Sequence, residues 1–236
     1  MHRQGGNLGH ARKALRAATG SGLSFPTAPG LPKPPPTPRD RTGLVAQWHG
    51  FAPCHPAYLE ARGLSAATIA AFAERIRTDE RGNTVFRHDD LSGLSGWEVK
   101  NKGFTGFARG GRKALFAARV GLPRLAEPKR LVVAESALDA MSYHQHDPAP
   151  ALVLSFAGGL SPEQGELLAH VLTRHPAAEI VTATDADEQG EVFAALILAH
   201  RPDATRARPP TGKDWNDALR PPEARHEAGA AKPTPI

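Results

Sequence analysis

The sequence predicts an α/β fold in which a parallel sheet flanked by helices follows a smaller, basic region of mixed α and β structure. Three observations predict this class. After Pro128, short apolar runs alternate with helical segments, which is typical of a parallel sheet. Upstream, residues 84–116 contain strand-like runs separated by glycines. Finally, 40% of the 236 residues are hydrophobic, which is enough to bury a core.

Composition divides the chain into four predicted regions. Residues 1–41 carry seven Lys or Arg against one Asp, and the run from Pro29 to Pro38 is rich in proline. Such a composition favours an extended, solvated chain over a packed one. The expected regions are a disordered basic tail over 1–42, a small basic α+β subdomain over 43–126, an α/β domain over 127–220 and a disordered tail over 221–236.

The first elements expected after the tail are two short helices within the run from Tyr58 to Phe72. Gly63 marks the end of one helix and Ser65 the N-cap of the next. The pair resembles a helix-turn-helix, but nothing cationic lies on its second helix before Arg75, so packing is favoured over DNA readout. Short strands are expected next, at 84–88, 96–100 and 103–107.

A cationic segment overlaps these strands. Residues 99–130 carry nine Lys or Arg against one Glu, whereas residues 131–236 have a net charge of −7. This segment suits contact with a phosphate backbone, although a solvated cationic face would have the same composition. Phe104, Phe107 and Phe116 lie among these cations and could stack bases, or each could be a core residue. Candidate contacts to nucleic acid or nucleotide are Lys100, Lys102, Arg109, Arg112, Lys113 and Lys213.

Strand and helix then alternate through the predicted α/β domain. Three apolar runs are typical of buried parallel strands, at 130–134, 151–156 and 179–184. Helices are expected at 136–146, 161–175 and 188–200, with a last short strand near 204–207. Residues at the carboxyl ends of such strands face one crevice, which makes these ends the place to look for a site.

Acidic residues follow two of these strands. Glu135 follows the first, with Asp139 one helical turn later, and Asp185 and Asp187 follow the third. Carboxylates at about 4 Å repel by roughly 1 to 4 kcal/mol per pair, so their convergence requires a cation, and a hard divalent ion is the simplest. Plainer explanations exist for Glu135, as a helix N-terminal charge, for Asp139, as an exposed helix residue, and for Asp187, as an N-cap, but the cap does not explain Asp185 as well.

A third acidic group, Asp214 with Asn216 and Asp217, follows Lys213. The run looks like the end of a nucleotide phosphate loop but lacks the preceding glycine and the Ser or Thr that holds magnesium, which excludes that motif. Its acids could join the same metal site or simply cap a short helix through Leu219.

The order and spacing of Glu135, Asp139, Asp185, Asp187 and Gly190 resemble the toprim domain of topoisomerases and primases. The segment around Asp214 is similar to an additional acidic motif of bacterial replicative primases. The upstream half resembles the uncharacterised domain that accompanies toprim in plasmid and mobile-element proteins. The resemblance implies a Rossmann-like sheet for the second half and a basic partner subdomain of a primase-like core for the first.

The resemblance also implies roles for individual residues. The catalytic residues would be Glu135, as general acid or base, with Asp139 and Lys113. The ligands of Mg²⁺, or of Mn²⁺ in its place, would be Asp185, Asp187, Asp214 and Asp217. Asn216 stands where those primases carry the second aspartate of an Asp-x-Asp motif.

Primase-type nucleotidyl transfer on single-stranded DNA, dependent on magnesium and serving plasmid or mobile-element replication or transfer, is the function that the resemblance favours. Single-stranded DNA, nucleotides and a helicase or relaxase chain would be the partners. Two alternatives stay open: a toprim nuclease, which transfers the phosphoryl group to water, and a noncatalytic DNA-binding accessory protein. A topoisomerase is disfavoured because only Tyr58 and Tyr143 are available as nucleophiles.

Apolar runs and cysteines are both scarce. No run of 18 or more apolar residues is present and the amino terminus lacks the apolar core of a signal peptide, so we expect a cytoplasmic protein that does not enter a membrane. With Cys54 as the single cysteine, neither an internal disulfide nor a cysteine-based zinc finger can form.

Overall fold

The computed structural model describes residues 40–220. The tails expected over 1–42 and 221–236 lie outside this range, except for the last residues of the first tail. There Arg41 pairs with Asp90 at 2.6 Å and a helix begins at Thr42.

Strands and helices alternate from residue 130 onward, whereas residues 76–120 hold five successive strands. The helices are α1 (Thr42–Gly50), α2 (Ala57–Ala61), α3 (Ala66–Ala71), α4 (Ala137–His146), α5 (Pro162–Arg174), α6 (Glu188–His200) and α7 (Trp215–Leu219). The strands are β1 (Ala52–Pro53), β2 (Ile76–Thr78), β3 (Thr84–Asp90), β4 (Gly93–Asn101), β5 (Phe104–Phe107), β6 (Leu115–Val120), β7 (Arg130–Ala134), β8 (Ala151–Ser155), β9 (Glu179–Thr182) and β10 (Thr205–Arg206). Between residues 40 and 220, no helix has the length and apolar character needed to span a membrane.

The strands of the described range form one ten-stranded sheet, whose main path runs β1-β2-β3-β6-β8-β7-β9-β10. Strand β4 pairs with β3 and carries β5 at its other edge. Strands β8, β7, β9 and β10 are parallel, and β6 joins them to the antiparallel upstream strands by pairing with β8 and β3. The predicted α/β fold with a parallel sheet and a mixed upstream region is confirmed, and β6 is the connecting strand that the sequence did not indicate.

Both faces of the parallel strands are covered, which explains their uninterrupted apolar sequences. Alternate residues of β7 enter different cores: Val132 packs with α4, whereas Leu131 and Val133 pack with α5 and α6. Helices α2 and α3 pack into the first of these cores through Leu59 and Ile69. The upstream helix pair is therefore a packing element, as expected.

Four helices begin at the carboxyl edge of the parallel strands, each behind a capping side chain. Ser136 caps α4, Ser161 caps α5 with a reciprocal bond from Gln164, Asp187 caps α6 and Asp214 caps α7. Each cap satisfies a main-chain N–H of the first turn that has no partner inside the helix. These caps fix the loops that hold the acidic residues.

Candidate functional site

Glu135 lies at the carboxyl end of β7 and is tied to both neighbouring strands. Its Oε1 accepts a hydrogen bond from the main-chain N–H of Asp185 at 3.1 Å. Its main-chain oxygen accepts from Phe156 and Gly158 at 3.3 and 2.9 Å. The side chain is buried, and burial is the main cause that raises its pKa, with the nearby charge of Asp187 adding to it. Glu135 is thus a fixed carboxyl group at the base of the crevice.

Asp185 is the acid of the crevice whose pKa is raised furthest. Burial, followed by the charges of Asp139, Glu135 and Asp214, raises its pKa to about 8. Its buried Oδ1 accepts no hydrogen bond from any group within residues 40–220. A carboxylate oxygen in this state has the electron pairs to bind a cation and no competing donor.

Asp139 and Asp214 lie beside this pair, on the first turn of α4 and at the start of α7. Asp139 accepts from the Ser136 hydroxyl at 2.6 Å and from the main-chain N–H of Asn216 at 3.4 Å. Burial, followed by the charge of Asp214, raises the pKa of Asp139 to about 6. Asp214 caps α7 by accepting from the main-chain N–H of Asp217 at 2.6 Å. The acids from the three sequence groups therefore converge.

Asp187, the N-cap of α6, is a partly exposed acid whose charge acts on Glu135. Its Oδ1 accepts from the main-chain N–H of Gly190 at 2.8 Å, and its Oδ2 pairs with the Lys213 ammonium at 2.8 Å. The Lys213 contact is the main cause that holds the pKa of Asp187 below its ordinary value. Asp187 is therefore an ionised, partly exposed group with a cation already beside it.

The remaining residues of the third acidic group are engaged elsewhere. The Asp217 carboxylate forms an ion pair with Arg220. Asn216 is buried, and its amide donates to the main-chain oxygen of Arg62 at 2.8 Å and to the Ser142 hydroxyl at 3.1 Å. The amide that replaces the second aspartate of the resembled motif thus joins α7 to α4 and to the turn after α2.

Two of the predicted basic residues lie close to the acids. Lys213 contacts Asp187, and the charge of Lys100, on β4, lowers the pKa of Asp139. Lys100 is itself paired with Glu98 at 3.0 Å. Lys113 instead donates to the main-chain oxygen of Ala157, in the loop between β8 and α5, at 3.1 Å.

The other predicted contacts lie on the exposed side of the upstream half. No hydrogen bond or ion pair within the described range joins Lys102, Arg109 or Arg112 to the acids, and all three are exposed. Phe104 is 54% exposed on the edge strand β5, whereas Phe116 is fully buried in the core. The two alternatives for these rings were base stacking and a place in the core. Phe116 is a core residue and Phe104 is not.

Arg206 is a site residue that the sequence analysis missed. Its guanidinium donates to the main-chain oxygens of Thr184 and Asp185 at 2.9 and 2.7 Å and pairs with Glu191 at 2.9 Å. It fixes the end of β9 from which Asp185 projects. The sequence did offer a signal for this residue. Arg206 is a cationic residue on the last predicted strand, next to a strand that is followed by acidic residues.

The acids fit an incomplete rather than a closed set of metal ligands. Among residues 40–220, no three carboxylate, imidazole or thiol groups surround one point closely enough to hold an ion by themselves. Mg²⁺ retains several waters and is bound through one or two carboxylates together with substrate phosphates. The free Oδ1 of Asp185 beside Glu135, with Asp139 and Asp214 as further negative charges, matches that requirement.

The chain matches two protein families. Residues 132–219 match the Toprim-like family, and residues 57–122 match a family of proteins of unknown function, DUF3991. The sequence has no significant match among curated proteins.

Solved structures with a similar fold include three primase structures. The primase fragment of the bacteriophage T7 primase-helicase protein is 20% identical, with a TM-score of 0.49, covering 71% of this chain and 74% of that one. Bacteriophage T7 lagging-strand DNA polymerase interacting with primase domains of two gp4 subunits matches at 18% identity and a TM-score of 0.45, covering 76% and 87%. The RNA polymerase domain of Mycobacterium tuberculosis primase DnaG, in complex with double-stranded DNA, matches at 17% and 0.40, covering 80% and 63%.

The acidic residues and the family matches lead to the same assignment. The residues that suggested the toprim resemblance, from Glu135 to Asp217, all fall inside the range of the first match. The upstream helices and strands fall inside the range of the second. This chain therefore combines a Toprim-like domain over residues 132–219 with a preceding DUF3991 domain over residues 57–122.

Proposed function

We propose that this chain is a primase-like nucleotidyltransferase that joins nucleotides on single-stranded DNA with the help of Mg²⁺, or of Mn²⁺ in its place. The observation that carries the proposal is the convergence of Glu135, Asp139, Asp185 and Asp214 in a Toprim-like domain. Carboxylates that converge in this way repel one another, and a fold tolerates them when they bind a cation together with an anionic substrate.

In this proposal Asp185 would hold the cation, with Asp187 and Asp214 as further ligands. A bound divalent ion neutralises phosphate charge and lowers the pKa of an attacking oxygen. Glu135 accepts the proton of the attacking hydroxyl, a task for which its raised pKa is suited, while that oxygen bonds to the α-phosphorus of the incoming nucleotide and pyrophosphate leaves. Asp217 would be available as a further ligand only if its ion pair with Arg220 opened.

The basic groups divide into two sets in this proposal. Lys100 and Lys213 contact the nucleotide phosphates, and Lys113 supports the site through the loop at Ala157. The DNA strand follows the exposed side of the upstream half, where its contacts are Lys102, Arg109, Arg112 and the ring of Phe104.

We further propose that the two working halves are the basic subdomain over 43–126 and the toprim domain over 127–220. The matches to residues 57–122 and 132–219 support this division. The setting we propose is the cytoplasmic replication or transfer of a plasmid or mobile element, with a helicase or relaxase chain as partner. The pairing of the two domains supports that setting.

The test is a synthesis assay with single-stranded DNA, labelled NTPs or dNTPs, and Mg²⁺. We expect new, nucleotide-dependent products from the wild type and none from Asp185→Asn. Asp203→Asn is the matched control, since Asp203 is an exposed acid that pairs with Arg201 on the surface. Shortened DNA would indicate a nuclease instead. DNA binding that survives Glu135→Gln, with no Mg²⁺-dependent product from the wild type, would indicate an accessory protein.

A further inference from the structure

A buried carboxylate on β4 has no role in the site described so far. Glu98 is 2% exposed, and its Oε1 pairs with the Lys100 ammonium at 3.0 Å. Its Oε2 is buried and accepts no hydrogen bond within residues 40–220. A half-satisfied buried charge destabilises a fold, and an uncharged side chain would avoid that cost. The position therefore calls for an explanation other than stability.

Glu98 and Lys100 lie on the face of β4 that looks toward the acidic crevice. Residues two apart on a strand share a face, and Glu98 is paired across the sheet with Phe86. Phe86 belongs to the core cluster that also contains α4, the helix that carries Asp139. The Lys100 side chain is 16% exposed, so it has little freedom to turn toward bulk solvent.

The Lys100 ammonium interacts electrostatically with an acid of the crevice. Its positive charge lowers the pKa of Asp139, so the two groups lie within electrostatic range. A lysine side chain has four rotatable bonds, and without a fixed partner its ammonium would move onto the nearest carboxylates of the crevice. That movement would neutralise an acid needed for a divalent ion and withdraw the ammonium from its substrate.

We propose that Glu98 is a positioning residue that holds the Lys100 ammonium away from Asp139 and Asp214, where it contacts the phosphates of the incoming nucleotide. The inference rests on the proposed function for the identity of that ligand. Glu98 itself does not contact the nucleotide. Its effect passes entirely through Lys100.

The experiment compares Glu98→Gln, Lys100→Ala and the double variant with the wild type. Binding of ATP labelled on its ribose is measured by fluorescence anisotropy with Mg²⁺, and KM and kcat are measured in primer synthesis. Glu179→Gln is the control, because Glu179 is also a strand glutamate facing a cation, Arg130, at 3.6 Å. Glutamine has the shape of glutamate and removes a buried charge, so thermal unfolding is expected to show a folded Glu98→Gln protein.

We expect Glu98→Gln and Lys100→Ala each to weaken ATP binding by roughly 10-fold to 100-fold, the effect of losing a charge-assisted contact. KM for nucleotide should rise by a similar factor. In the Lys100→Ala background, Glu98→Gln should have no further effect, and Glu179→Gln should bind as the wild type does. A merely structural role for Glu98 would weaken binding in both backgrounds.

Three outcomes would overturn the inference: wild-type affinity in Glu98→Gln, an equal loss in the Lys100→Ala background, or no binding of ATP by the wild type. The proposed function can fail separately. A wild-type protein that binds ATP with the expected dependence on Glu98 and Lys100, yet makes no product, would refute nucleotidyl transfer and support the inference.

Discussion

At the scale of single residues, the acidic crevice lowers the stability of the fold because it buries carboxyl groups close to one another. Asp185 has a pKa raised to about 8 and a buried Oδ1 that accepts no hydrogen bond from residues 40–220. The sequence could locate it because it follows an apolar strand, as does Glu135. The sequence could not indicate which main-chain oxygens Arg206 contacts, or that Glu98 is buried, because both depend on the pairing of strands that are distant in sequence.

The variant Asp185→Asn is expected to be more stable than the wild type and inactive. In EDTA at pH 7 its free energy of unfolding should rise on the order of 1 kcal/mol, after allowance for solvent screening, because burial and then the three nearby acids oppose ionisation of Asp185, and asparagine has no charge to lose on folding. Thermal unfolding and the synthesis assay measure the two effects. A lower melting temperature than that of the Asp203→Asn control would contradict the electrostatic argument.

His88 gives the protein a pH dependence that is separate from the acids. It is fully buried, its Nδ1 donates to the main-chain oxygen of Ala114 at 2.9 Å, and burial lowers its pKa to about 4. Between pH 4 and 6.5 the unfolded chain therefore binds more protons than the folded one. The stability contributed by neutral His88 is present above pH 6.5 and is lost as the pH falls toward 4.

We therefore expect the free energy of unfolding to have a pH dependence that comes from His88, in addition to that of the Glu and Asp residues. His88→Gln should remove it. Between pH 6.5 and pH 4, His88 is expected to change the free energy of unfolding by about 3 kcal/mol. Urea unfolding of wild type and His88→Gln across this range measures it, with His170→Gln, on the exposed side of α5, as control. Parallel pH profiles for the wild type and His88→Gln would rule out the assignment.

At the scale of elements, the start of α6 shows how closely a helix can approach a strand end. A Cβ on Gly190 would lie 2.0 Å from the main-chain oxygen of Asp185, so only glycine fits. The sequence indicated Gly190 only as part of the spacing that resembles the toprim domain. It did not indicate which atom the glycine approaches, because that contact depends on the path of the chain around Asp187.

Gly190→Ala is expected to displace the Asp185 loop and to abolish synthesis. The steric overlap should destabilise the protein by roughly 2 kcal/mol or more. Gly165→Ala is the matched control, since a Cβ there meets no atom within 4 Å and lies inside α5. That control should gain about 0.5 to 1 kcal/mol from helix propensity. Equal melting temperatures for the two variants would contradict the steric argument.

Helix α7 is fixed by an amide where the resembled motif has a carboxylate. The Asn216 amide donates two hydrogen bonds that an aspartate cannot make. We expect Asn216→Asp to destabilise the protein by roughly 2 to 4 kcal/mol rather than to improve metal binding. Chemical unfolding measures this, with Gln47→Glu on the exposed side of α1 as control. Unchanged stability with tighter Mg²⁺ binding would be the contrary result.

At the scale of the whole molecule, the upstream half and the Toprim-like domain share one sheet. Strand β6 pairs with β8 over five residue pairs, from Phe116 with Ser155 to Val120 with Ala151. The parallel core could be predicted because its strands are apolar and regularly spaced. The joining strand could not, because its partners are β3 and β8, far apart in sequence.

Neither half is expected to fold by itself. Residues 127–220 expressed alone would expose the edge of β8, together with the core residues that now meet α2 and α3. Circular dichroism and thermal unfolding of fragments 43–126 and 127–220 should show no cooperative transition, whereas 40–220 should unfold cooperatively. A stable, soluble 127–220 fragment would contradict this expectation.

The main-chain pairing between β6 and β8 also limits how far the two halves can move against each other. Rocking one half against the other would break this ladder of hydrogen bonds, so we expect the halves to move as one body. A ligand that enters the crevice would then be accommodated by side chains and loops, and not by closure of one half onto the other.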